Sequence, residues 1–211
     1  MKLTHSISKN SFLLGCFALI TAGLLASVNQ VTKGPIAEAE RAAAQKALLE
    51  ILPPHTHDNQ LLDDTLALTD AWQKQLNSNA DANIHLARQN GQVVAAIIPV
   101  TAPDGYSGNI KMIVGVNRDL TIAGVRVLTH SETPGLGDKV ELKKSNWILS
   151  FNGKTLSNTR WQVKKDGGDF DQFTGATITP RAVVKQTKRA LAFAKENYSV
   201  LFSDAGGKHD N

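Results

Sequence analysis

Residues 171–184 read DQFTGATITPRAVV. Threonines at 174, 177 and 179 precede a proline and then a run of helix formers, so the stretch reads as a loop that turns into a helix. Thr179 suits the capping position and Pro180 the first helical one, where its missing N–H costs nothing. A helix beginning there leaves N–H groups of its first turn without intrahelical partners, and its dipole favours negative charge at that end. A phosphate beside Thr177 or Thr179 would meet that field. Gly175 permits a positive φ or a close approach of backbone, and Ala176 leaves room next to it. Asp171 would repel a phosphate; it suits a loop held by hydrogen bonds, or the organising of a cation or hydroxyl during a modification. By these features alone, an ordinary turn entering a helix is the preferred reading of the stretch.

Working outward, the predicted helix places Val183, Ala190, Leu191, Ala194 and Tyr198 near one face, and residues 201–211 read as a loose tail. Upstream, IHLARQNGQVVAAIIPV (84–100) carries Asn90–Gly91 between two strand-like runs, a hairpin signal. A loop is expected over APDGYSG, including Tyr106. A second strand pair is expected across the turn at Asn117–Asp119. ETPGLGDKV (132–140) is a tightly specified loop, and Trp147 and Trp161 are read as apolar packing around the sheet. Ahead of the sheet, a Gly34–Pro35 break is followed by helix-forming residues 36–52, stopped by Pro53–Pro54. His55 and His57 follow in a polar loop without a third ligand and are read as surface residues, so no metal site is assigned. The expected fold is α+β: a bent antiparallel sheet with helices before and after it.

The 211 residues suit one domain plus an appendage. The formal charge is +4, yet Lys2, Lys9 and Lys33 account for most of it: beyond residue 33 there are 20 basic and 19 acidic residues. With no Lys/Arg cluster interleaved with aromatics, nucleic-acid binding has no support. The lone Cys16 excludes an intramolecular disulfide, a Cys-ligated iron–sulfur cluster and a CxxC pair. Redox chemistry in this chain would need an organic cofactor.

From Ser11 to Val28 the chain reads SFLLGCFALITAGLLASV without a charge, about the lower limit for crossing a hydrocarbon core. Lys2, His5 and Lys9 precede it, which predicts a cytoplasmic N-terminus and an exported body. A retained anchor is the preferred reading and a cleaved signal peptide the alternative. A buried helix of a soluble domain ranks third, because nothing polar marks a solvent face. The expected organisation is a head and membrane anchor over 1–33, a helical stalk or linker over 34–83, the main domain over 84–200 and the tail over 201–211.

Taken together, the N-terminal anchor, GYSGNIKMIVGV (105–116), ETPGLG (132–137) and DQFTGAT (171–177) resemble the RnfG (RsxG) component of the Rnf electron-transport complex. That family is related to the NqrC component of the sodium-translocating NADH:quinone reductase, and both carry an FMN-binding domain. The D-x-x-[S/T]-G-A-T pattern falls on Asp171, Thr174, Gly175, Ala176 and Thr177; Thr174 stands where serine is frequent but keeps the hydroxyl. The resemblance implies covalent FMN, joined through its phosphate to Thr177 by a separate flavin transferase that uses FAD and Mg²⁺, with Thr179 as a second candidate. Glu132 and Thr133 are expected to offer polar contacts to the ring. Gly135, Leu136 and Gly137 would let it lie close to backbone, and the Tyr106 loop would complete its surroundings. The implied role is electron relay, without catalytic residues of its own, among the membrane and soluble subunits of a complex in the bacterial inner membrane. Such a complex couples ferredoxin and NAD redox chemistry to ion translocation. Two alternatives are a stand-alone exported flavoprotein reductase and a flavin-free periplasmic assembly or binding subunit.

Overall fold

The computed structural model describes residues 2–203, with side chains described from Phe12 onward except at several positions between 33 and 43. The expected tail is thus outside the described residues from 204 on. The chain divides into two compact units, residues 1–44 and 45–211.

Helix α1 is Lys2–Ile51. Phe12–Thr32 within it is 21 residues long and apolar enough to cross a membrane. At a rise of about 1.5 Å per residue, that is roughly the thickness of a hydrocarbon core. Thr21, Ser27 and Thr32 return their hydroxyls to carbonyls of the preceding turn, so none carries an unmet polar group. The break expected at Gly34–Pro35 does not occur, since Pro35 lies inside α1. Both residues are exposed, so the proline ring meets no packed neighbour.

The second unit is a five-stranded antiparallel meander in sequential order. Strand β1 is Thr65–Ala67 and is followed by helix α2, Asp70–Leu76; β2 is Asn83–Gln89, β3 Gln92–Gly105, β4 Gly108–Asn117 and β5 Ile122–Thr129. The segment expected as stalk or linker therefore supplies a strand and a helix to the fold. Asn90 and Gly91 take φ of 53° and 80°, the left-handed pair that a two-residue hairpin needs. The loop expected over APDGYSG is strand on either side of Tyr106–Ser107: β3 runs on past a register shift until Gly105 pairs with Gly108. Proline and glycine are tolerated there because the irregularity falls at the hairpin's end.

Strand β3 reads as an unbroken apolar run because both of its faces are covered. Ala96, Ile98 and Val100 join the larger core, closed by helix α3 (Ile178–Glu196) through Ala182, Val183, Ala190, Leu191, Phe193 and Ala194. Ala95 and Ile97, alternate along the strand, face a second core with Leu48, Ile51, Leu52 and Leu61. Tyr198 departs from the expected α3 face: the helix stops at Glu196, and Tyr198 begins the short helix α4, Tyr198–Leu201, 38% exposed.

The end of α1 is seated by chemistry as well as apolar contact. Ile51 lies over the paired Gly115 and Gly124, where a Cβ on Gly124 would come within 3.3 Å of its Cγ2. Arg126, 8% exposed, donates from Nε to the Glu50 carboxylate at 3.0 Å and from Nη2 to the Glu50 carbonyl at 3.0 Å. It thereby satisfies one of the last-turn carbonyls of the helix. Arg126→Ala is expected to lower the unfolding free energy by about 2 kcal/mol, the scale of hydrogen bonds to a charged group, measurable by urea denaturation.

On β2, burial holds the His85 imidazole below the ordinary histidine value of 6.5, against the opposing effect of its hydrogen bond to the Leu61 carbonyl. The folded state thus binds a proton less readily than the unfolded chain. Its contribution is present above pH 6.5 and is lost as the pH falls through the folded value. A pH series of thermal melts should show that decline, with a shallower slope in His85→Gln.

Candidate functional site

Three loops far apart in sequence meet beside the N-terminus of α3. They are the Tyr106–Ser107 turn between β3 and β4, the 132–137 loop after β5, and residues 173–179. Glu132 joins them. Only 4% exposed, it accepts the Ser107 backbone N–H on Oε1 at 2.9 Å and the Thr179 hydroxyl on Oε2. Its own N–H donates to His130 Nδ1 at 3.0 Å, which leaves Nε2 of that ring as the donor to Glu141 Oε1 at 2.7 Å. Gly137 is the close approach that permits the arrangement: a Cβ there would lie 2.9 Å from both Glu132 Cβ and Thr179 Oγ1. The rest of the loop is wound on one carbonyl, Thr133 O, which accepts from Leu136 N at 3.1 Å and Gly137 N at 3.0 Å, with Gly135 at φ 78° completing the turn.

The 173–177 segment is a turn anchored at its apolar end. Phe173 is buried and packs edge-on against Trp147 at 5.0 Å between ring centroids. The Trp147 indole N–H donates to the Asp171 carbonyl at 2.8 Å, and the Asp171 carboxylate pairs with Lys164 at 2.7 Å. Asp171 thus holds the loop, one of the two roles its position suggested. Ala176 N closes the turn on Phe173 O at 3.1 Å, with Gly175 at φ 81°, the positive value that favours glycine at the third position of such a turn. Trp161 lies in the adjoining aromatic cluster with Phe151 and Phe170, so both tryptophans pack as expected.

Helix α3 begins two residues earlier than its proline suggests. Thr177 is its capping residue, already at helical φ −85° and ψ −27°, and its side chain makes no capping hydrogen bond. Thr179, expected as the cap, is the helix's second residue, fully buried, with its hydroxyl drawn away to Glu132. Pro180 is tolerated at the third position because no N–H there has an intrahelical acceptor. The first such bond, Arg181 N to Thr177 O, is 3.3 Å long. Arg181 in turn chelates Asp166 at 2.6 and 2.7 Å, and these bonds hold the Asp166 carboxyl below the usual carboxylate range.

Of the residues singled out in sequence, Thr177 is half-buried while Thr174 and Gly175 are exposed. Gly175 and Leu136 bring two of the loops together: a Cβ on Gly175 would stand 3.5 Å from Leu136 Cδ2. Exposed apolar side chains ride on all three loops, Tyr106 at 68%, Leu136 at 41% and Ile178 at 45%. An amphipathic ring carried on a phosphate fits this set: one unengaged hydroxyl at a helix start, a positive-φ glycine beside it, and uncovered apolar groups around it. Sequence reasoning did not find the roles of Ser107, His130 and Glu141, which act through contacts between segments and leave no local pattern. Glu132, expected to face a ligand, has both oxygens engaged by the chain itself.

Residues 105–192 match the FMN-binding domain family, and residues 1–51 match the RnfG N-terminal region. The chain is 49% identical over 204 residues to the G-type subunit of the ion-translocating oxidoreductase complex of Shewanella amazonensis, covering 95% of this chain and 94% of that one. It is 49% identical over 202 residues to the corresponding protein of Pseudomonas aeruginosa, covering 94% of each. The chain belongs to the RnfG family. Among solved structures, that of Shewanella oneidensis NqrC superposes with a TM-score of 0.45 at 24% identity, covering 61% of this chain and 64% of that one. The FMN-binding match begins at Gly105 and so takes in all three loops of the site.

The tight fit at Gly137 is directly testable. Gly137→Ala would force Glu132 and Thr179 apart and should cost about 2 kcal/mol, as overpacking of a well-filled site does. Thermal melting should register it, whereas Gly91→Ala, which has open space at its Cβ, is strained only by its φ of 80° and should lose about 1 kcal/mol.

Proposed function

We propose that this chain carries FMN covalently on Thr177 and relays electrons within a membrane-bound, ion-translocating oxidoreductase complex. The observation that carries the reading is the contrast between two neighbouring threonines. Thr177 stands half-buried at the start of α3 without a capping hydrogen bond, while Thr179 is fully buried with its hydroxyl given to Glu132. A phosphate on Thr177 would lie next to the free N–H end of α3 and beside the turn at Gly175. Thr174 adds a second hydroxyl in that turn, and Ala176 leaves the approach uncrowded. Tyr106, Leu136 and Ile178 supply apolar surface for the ring, and Thr133, Gly135 and Gly137 the loop backbone beside it. When bound, the cofactor supplies one- and two-electron transfer. The chain's part is to hold it in place through a bond that does not dissociate.

Attachment is made by a separate flavin transferase, a reading that rests on the resemblance of DQFTGAT (171–177) to the family's D-x-x-[S/T]-G-A-T pattern. The apolar Phe12–Thr32 segment anchors the chain in the bacterial inner membrane. Lys2 and Lys9 ahead of it favour a cytoplasmic N-terminus and a periplasmic domain. The partners are the other subunits of the complex, through which ferredoxin and NAD chemistry is coupled to ion movement.

The test is intact mass and in-gel flavin fluorescence of the membrane-extracted chain coexpressed with a flavin transferase. The unaltered chain should carry a denaturation-resistant flavin and the FMN-phosphoester mass increase, and Thr177→Val should lose both. An adduct that persists in Thr177→Val would move the attachment elsewhere. No adduct on the unaltered chain would favour the flavin-free assembly role.

A further inference from the structure

We infer that Glu132 is the positioning residue that makes Thr177, rather than Thr179, the flavin acceptor; this rests on the attachment proposed above. The two hydroxyls are two residues apart in the first turn of one helix and chemically alike, so the choice between them must come from their surroundings. Glu132 imposes it twice. It takes the Thr179 hydroxyl as a hydrogen-bond donor and so holds that side chain in a fully buried place, where no phosphate donor reaches it. Through the same carboxylate it holds Ser107 N at 2.9 Å, so the 132–137 loop, the Tyr106 turn and the start of α3 are fixed to one another. Gly137 against Thr179 Oγ1 and Leu136 against Gly175 then set the depth of the Thr177 turn relative to that loop. Glu132 itself is buried and spends its two oxygens on Ser107 and Thr179, so its action on Thr177 is indirect.

The step it prepares is a balanced phosphoryl transfer from a flavin dinucleotide. Thr177 Oγ1 attacks the flavin-side phosphorus and forms the O–P bond as the phosphoanhydride bond breaks. The bonding pair leaves with adenosine monophosphate, and the hydroxyl proton is released to water. No oxidant or reductant is needed. Before it could attack, the Thr179 hydroxyl would have to leave its fully buried place beside Glu132 and reach solvent. Thr177 needs no such rearrangement.

The support around Glu132 extends one layer further. His130 accepts the Glu132 N–H and is itself held by Glu141, so the residue enters the site from a backbone that is fixed on both sides. Neither His130 nor Glu141 is adjacent in sequence to the modified turn. Their pattern of contacts is that of a brace for a side chain whose direction matters.

The experiment uses the full-length chain coexpressed with a flavin transferase, comparing Glu132→Ala, Thr179→Val and Thr179→Ser with the unaltered protein. The initial rate of flavin attachment is followed by intact mass, and the modified residue is mapped by peptide mass spectrometry. Thr179→Val should slow labelling of Thr177 about tenfold, because Glu132 loses the bond that ties it to α3, and Thr179→Ser, which keeps the hydroxyl, should restore the rate. Glu132→Ala should lower labelling at least as far, with any residual adduct divided between positions 177 and 179. Circular dichroism of each variant before labelling separates misfolding from misplacement. If Glu132→Ala does not fold, the Thr179→Val and Thr179→Ser pair decides alone. Labelling of Thr177 at the unaltered rate in Thr179→Val, or failure of Thr179→Ser to restore it, would overturn the inference while leaving the attachment reading intact. An unlabelled wild-type chain would remove both.

Discussion

A buried carboxylate must have its hydrogen bonds met, and at Glu132 the partners come from two segments that are otherwise unrelated. Ser107 approaches from a hairpin end and Thr179 from a helix start, with the 132–137 loop between them. None of these segments holds its place by secondary structure alone. The loop is wound on the Thr133 carbonyl, but its direction relative to α3 is set by the Glu132–Thr179 contact and by the glycine that permits it. Removing the carboxylate would leave the fully buried Thr179 hydroxyl unmet and take away the partner of the Ser107 N–H.

The sheet explains why such a junction can exist. Strands β2 to β5 are joined by short connections and β1 leads to β2 through α2, and the two faces of the sheet are covered by different parts of the chain. Helix α3 closes one face and presents its N-terminus to the loops; the last turn of α1 closes the other. Arg126 and Ile51 seat that turn on the sheet with a charge-assisted contact and a close apolar one over paired glycines. The last turn of α1 and helix α3 therefore lie on opposite faces of the same sheet.

Much of this was legible beforehand, and the exceptions share a cause. Asn90–Gly91 marks a hairpin because only a few residues tolerate two successive positive φ values, and that preference is local. The strand on either side of Tyr106 was masked by proline, aspartate and glycine, whose loop preference yields to pairing across an irregular register. Gly34–Pro35 suggested a break that an exposed helix does not need. Thr179 and Pro180 together resemble a cap and a first turn, yet the hydroxyl finds a better partner across the fold, and the helix begins two residues earlier as a result.

By itself the sequence determined the composition of this protein's parts: an uncharged N-terminal stretch of spanning length, an antiparallel α+β domain, and a threonine-rich turn entering a helix. It also determined the family, because spaced loop motifs survive in the chain as written. Which threonine is open and which is closed was decided only in three dimensions. That distinction depends on a glutamate 47 residues away, on a hairpin end further still, and on the absence of a side chain at Gly137. Local residue preferences act over a turn or two of chain, whereas burial and the pairing of polar groups act across whatever the fold brings together.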